Sequence, residues 1–155
     1  MADKDEIVST MQRLQGEIER AVSSMSKEAW STGVYEGGWN ARQILAHMAS
    51  MSGITGFVLN LASALAGAGG GIGSVDDFNR MQIAAREGKT PADLVGEIRA
   101  SFERDISAVR AASDELIKKH YRAPWDVEGE VGDIIVNSLN GHLGMHLADL
   151  RSAAE

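Results

Sequence analysis

The sequence predicts an all-α protein folded as a four-helix bundle with an additional short helix. Three observations predict it. Only two prolines interrupt 155 residues. Runs of β-branched residues are few, and apolar residues recur at helical spacing in four long segments. The length suits one domain, residues 1–155, with a core of its own.

Residues 3–25 read as the first helix, because Ile7, Met11, Leu14, Ile18, Val22 and Met25 fall on one face. Ser26 can cap a short turn through Trp30, and residues 31–39 are a loop by composition. Asn40 opens the second long helix, with Gln43 three residues on as a capping box. Its stripe is Ile44, His47, Met48, Met51, Ile54, Val58, Leu61 and Leu65. Gly53 and Gly56 interrupt it, each costing about 1 kcal/mol relative to Ala, so a neighbour approaches closely or the helix bends there.

Residues 67–73 form a flexible Gly-rich connector. No strand precedes this segment and no Gly-Lys-Ser/Thr ending follows, so it is not a phosphate loop. Ser74 caps a helix running to about Arg86. Thr90-Pro91, with Asp93 in the first turn, starts the next, whose buried stripe is Leu94, Ile98, Phe102, Ile106 and Val109. A short helix over 114–119 and a long loop over 120–132 follow, and the last helix spans about 132–153.

Composition narrows the function. The net charge of −7, with no basic run, argues against nucleic acid as a partner. The absence of cysteine removes disulfides, thiolate ligands and a cysteine nucleophile together. The N-terminus has no apolar signal core, and the most apolar stretch, residues 54–68, is short for a bilayer. A cytoplasmic protein without a membrane partner is therefore expected. Helix surfaces bearing exposed Met or Ala could serve a homodimer.

Histidine is the informative residue. The chain has four, and His142 and His146 stand four apart on the inward face shared with Ile135, Leu139 and Leu150. His47 occupies a core position on the second helix. A lone core histidine is more often a packed, hydrogen-bonded residue than a ligand. Three facing one core differ, since unpaired buried imidazoles cost about 1–3 kcal/mol each and one shared cation satisfies all three. No Glu stands beside the pair, so this is not the H-E-x-x-H protease motif. Gly141 and Gly144 flank His142, for close helix packing or for substrate access. His120 follows Lys118-Lys119 and reads as a solvated surface residue. Asp149 reads as a solvated neighbour of Arg151, with orientation of the His146 ring as the alternative.

Three segments carry a resemblance: 39–48 (WNARQILAHM), 76–79 (DDFN) and 140–150 (NGHLGMHLADL). With them the chain resembles the DinB/YfiT-like superfamily, which includes relatives of the N-terminal domain of mycothiol-dependent maleylpyruvate isomerase. The resemblance implies an up-down-down-up four-helix bundle. It implies a divalent metal, zinc or nickel, held by His47, His142 and His146. It implies metal-dependent hydrolases, or thiol-dependent isomerases and S-transferases using a low-molecular-weight thiol as cosubstrate. Isomerase-type relatives carry Glu where this chain has His142, and with the metal helix close to the end of the sequence the isomerase's further domain is expected to be absent.

The preferred reading is a metal-dependent enzyme, a thiol S-transferase or hydrolase acting on a small molecule. The rival is a non-catalytic, metal-stabilised binding or scaffold protein. A first shell left open to water favours the enzyme and a closed fourth protein ligand favours the rival. No general acid or base stands out, so no catalytic residue is assigned.

Overall fold

The computed structural model describes residues 1–31, 33, 38–64 and 74–155. Leu65, the Gly-rich connector 67–73, and residues 32 and 34–37 of the expected loop lie outside them.

Helix α1 spans Lys4–Ser23, and the Asp3 side chain caps it by accepting from the Glu6 amide at 2.8 Å. The helix buries Ile7, Met11, Leu14 and Ile18, as its spacing predicts. Ser26 accepts from the Ala29 amide and sets the turn that follows. Helix α2 (Ala41–Met51) opens on the predicted capping box of Asn40 and Gln43, and α3 (Ile54–Ser63) continues its course after a break at Ser52–Gly53. Together Ala41–Ser63 is long and apolar enough to cross a bilayer by composition, but 56% of that window is buried against the other helices.

Helix α4 (Val75–Ala84) is the additional short helix, capped by Ser74. Helix α5 (Pro91–Ala111) starts on a capping box of Thr90 and Asp93, with Pro91 at its first turn, and its Leu94, Ile98 and Phe102 are fully buried. Truncating Phe102 to Ala would cost about 3–5 kcal/mol. The short α6 (Asp114–Ile117) leads to a hairpin rather than the expected loop. Strands β1 (His120–Arg122) and β2 (Glu128–Glu130) pair antiparallel, with His120 opposite Glu130. Asp126 takes a left-handed conformation (φ 68°) in the connecting turn, which Asp tolerates better than most residues. The expected single last helix is three segments: α7 (Val131–Ser138), a π-helical turn (Leu139–Leu143) and α8 (Gly144–Ala154).

Cross-helix contacts fix the directions. Lys4 pairs with Asp114 at 3.2 Å and Glu19 with Arg99 at 2.8 Å, so α1 and α5 are antiparallel. Arg13 reaches Asn140 at 2.5 Å and Arg151 reaches Glu17 at 3.1 Å, so α1 and the last helix are parallel. The Arg42 guanidinium donates to the carbonyls of Arg86 and Lys89, at the start of α5, and the Gly56 amide donates to Asp105 further along it. The α2–α3 helix and α5 are therefore parallel, and the order is up-down-down-up. Parallel neighbours cannot be joined by a tight turn, and α4 lies within the long connection between α3 and α5.

Candidate metal centre

The site lies where α2 faces the last helix. The Asn40 cap fixes where α2 begins, and His47 falls on its inward stripe between Ile44 and Met51 with 2% of its surface exposed. His142 comes from the π turn and His146 from the first turns of α8. A π turn inserts an extra residue into the helical ladder and is common at functional sites. Here it carries Gly141 and His142, and it keeps Leu139 and Leu143 in the core while His142 is half-buried.

The three expected imidazoles meet. One nitrogen from each lies within 4.8 Å of the others. The Nε2 atoms of His47 and His142 are 2.9 Å apart. Ring centroids lie 5.1 Å (His47–His142), 4.8 Å (His47–His146) and 5.0 Å (His142–His146) apart. Burial lowers the His47 pKa from 6.5 to about 3, with His146 and His142 adding charge repulsion. Burial also lowers that of His142, again helped by His146. Both rings are thus held neutral, with a lone pair to offer. His47 Nδ1 is buried with no hydrogen-bond partner. A donor set of neutral, clustered imidazoles fits a divalent transition metal, for which imidazole is a preferred ligand. Among the described residues this group has no fourth Asp, Glu or Cys member.

The surroundings correct one expectation and add one residue. Asp149 is not the neighbour of Arg151, because Arg151 reaches across to Glu17 on α1. Instead Asp149 Oδ2 lies 3.3 Å from His146 Nδ1. Trp39, just before the α2 cap, packs its indole 5.0 Å from the His47 ring. Sequence reasoning did not place Trp39 at the site, although it opens the 39–48 segment that carries the resemblance and stands eight positions before His47. Trp39 also lines a cleft of about 230 Å³ with Arg42, Gln43, Arg80, Ile83 and Glu87. A β-carbon added at Gly141 or Gly144 would meet nothing within 4 Å. These glycines therefore do not serve close helix packing. His120 sits on the hairpin, largely exposed, 3.7 Å from Glu128 and apart from the group.

The sequence profile of the family described as the mycothiol maleylpyruvate isomerase N-terminal domain matches residues 11–151. Among solved structures the chain is similar to YfiT from Bacillus subtilis, described as a probable metal-dependent hydrolase with an unusual four-helix bundle topology. The TM-score is 0.75 at 16% identity, over 97% of this chain and 85% of that one. At that identity the likeness shows the fold. No curated protein matches the sequence.

Proposed function

The chain belongs to the mycothiol maleylpyruvate isomerase N-terminal domain family, and on that premise we propose that it is a metal-dependent enzyme acting on a small molecule. His47, His142 and His146 hold one divalent ion, zinc or nickel. The observation that carries this reading is the convergence of three core imidazoles, nitrogens within 4.8 Å, from two helices that approach each other from opposite directions. When bound, such an ion acidifies a water or a thiol that approaches it, which suits hydrolysis or S-transfer with a low-molecular-weight thiol.

The chain's own residues supply the rest. Burial keeps His47 and His142 unprotonated at neutral pH, so protons do not compete for their lone pairs. Trp39 covers one side of His47 and excludes water there. His142 itself is half-buried, so its ring is the member of the group nearest to solvent. The cleft beyond Trp39 has Arg42, Arg80 and Glu87 in its wall, so it is polar and carries both signs of charge. The chain contains no cysteine, so a thiol used in the reaction comes from outside it.

The three-member group favours this reading over a structural or scaffolding ion, because structural sites close with a fourth protein ligand. A homodimer and a cytoplasmic setting complete the proposal. The test is metal analysis of protein purified without an affinity tag, then hydrolysis and thiol-transfer assays with zinc-loaded and nickel-loaded protein. Uptake of one ion per chain, lost in His47→Ala, and turnover in either assay are expected. Protein that takes up neither metal would overturn the reading.

A further inference from the structure

We propose that Asp149 is a positioning residue for the histidine group: it accepts the Nδ1 proton of His146 and thereby turns the Nε2 lone pair of that ring toward the ion. The inference rests on the metal-site reading above for its effect on affinity, but not for its effect on the ring.

A neutral imidazole carries one N–H and one lone pair, and the partner of one nitrogen decides the state of the other. An ionised carboxylate can only accept. Asp149 Oδ2 lies 3.3 Å from His146 Nδ1, so that nitrogen holds the proton and Nε2 is left to ligate. The ring has little freedom to escape this, since the His146 side chain is only 9% exposed. Asp149 is three residues on along the same helix, so the helix itself sets the spacing.

The competing account, a solvated Asp149 paired with Arg151, is removed by the contact that Arg151 makes with Glu17 at 3.1 Å. The other two rings differ from His146. His47 Nδ1 is buried and unpartnered, and His47 and His142 face each other through Nε2. Among the described residues, His146 is the member of the group whose outer nitrogen meets a carboxylate. A carboxylate behind a ligating histidine fixes its orientation and raises its basicity, and losing it costs about 10–100-fold in metal affinity.

The experiment compares the parent with Asp149→Asn and Asp149→Ala in two measurements. Nitrogen NMR of the metal-free proteins at neutral pH reads the His146 tautomer. Zinc titration by calorimetry against a competing chelator reads affinity. In the parent, His146 is expected protonated at Nδ1. Asp149→Ala should show a mixture of tautomers and about 10–100-fold weaker zinc binding. Asp149→Asn should fall between, because its amide oxygen still accepts, and all three should keep the same helical circular dichroism. A parental tautomer in Asp149→Ala, or zinc binding within about twofold of the parent, overturns the proposal. A parent that takes up neither zinc nor nickel overturns the metal reading and the affinity claim with it, while the tautomer spectra still decide whether Asp149 orients the ring.

Discussion

The backbone amide of Gly56 donates to Asp105 Oδ2 at 3.0 Å, and a β-carbon on Gly56 would fall 2.6 Å from Asp105 Oδ1. Asp105 thus caps α3 from α5, replacing the side-chain cap that Gly53 cannot supply. The carboxylate is 3% exposed and held by this bond, so it cannot retreat easily from a methyl group. Gly56→Ala should destabilise the fold by about 1–3 kcal/mol, despite the roughly 1 kcal/mol that Ala gains as a helix former. Urea unfolding measures it, and an unchanged or raised midpoint would contradict the capping account.

How far the sequence discloses this fold depends on how local each signal is. The caps at Asn40 with Gln43 and at Thr90 with Pro91 and Asp93 are legible because capping involves neighbours within one turn. The hairpin is not, because three-residue strands such as Glu128-Gly129-Glu130 are too short to show alternation and poor in β-formers. The break at Ser52–Gly53 is half legible: the glycines announce it, but Asp105, distant in sequence, decides what it is for. The π turn leaves no trace, since apolar spacing does not record hydrogen-bond register. The His142–His146 pair is visible from spacing alone, whereas its closeness to His47 and the Asp149 contact depend on the packed bundle. Arg151 illustrates the limit, being two residues from Asp149 in sequence and claimed by Glu17 in space.

Acid should destabilise the metal-free protein. Burial, with repulsion from its two neighbours, puts the His47 pKa near 3 against 6.5 in an unfolded chain, and His142 shifts in the same direction. Below pH 6.5 the unfolded state therefore binds protons that the folded state refuses. Stability is full above about 6.5 and falls as pH drops toward 3, by up to about 1.4 kcal/mol per pH unit for each such histidine. Buried Asp105, whose pKa is raised by desolvation, acts with the opposite sign, in the window just above its ordinary value of 3.8. Thermal melts in the presence of chelator, from neutral pH to about pH 5, should show a steadily falling midpoint. A flat profile would mean that the buried rings protonate freely.

Stability and metal affinity should oppose each other at His47. Its ring is 2% exposed and its Nδ1 is unpartnered, a polar group left unsatisfied in the core. His47→Leu removes that penalty at similar volume, so the metal-free variant should be more stable than the parent by about 1–3 kcal/mol. It should also lose metal binding. Chemical denaturation with chelator present provides the comparison. A less stable variant would show that His47 is held by interactions beyond those seen.

His142→Ala separates the ion's role from that of the fold. His142 is half-buried on the π turn, while the core of α1, α2, α3, α5 and α7 is built from Ile7, Met11, Ile44, Val58, Phe102 and Ile134, none of which depends on it. Removing the half-buried His142 ring opens the two remaining rings to water from that side. The variant should therefore keep parental helical circular dichroism and melt within a few degrees of the metal-free parent. Zinc should behave differently in the two proteins. An ion that binds only the folded state stabilises it by RT ln(1 + [L]/Kd), about 2.7 kcal/mol at a hundredfold excess over Kd. Zinc should thus raise the parent's melting temperature by several degrees and leave that of His142→Ala unmoved. If the metal-free parent and the variant are both unfolded and zinc folds only the parent, the ion is a structural element whose binding energy is folding energy. If the variant stays folded and indifferent to zinc, the bundle does not need the ion to stand, and three histidines in its core are better explained by chemistry than by architecture.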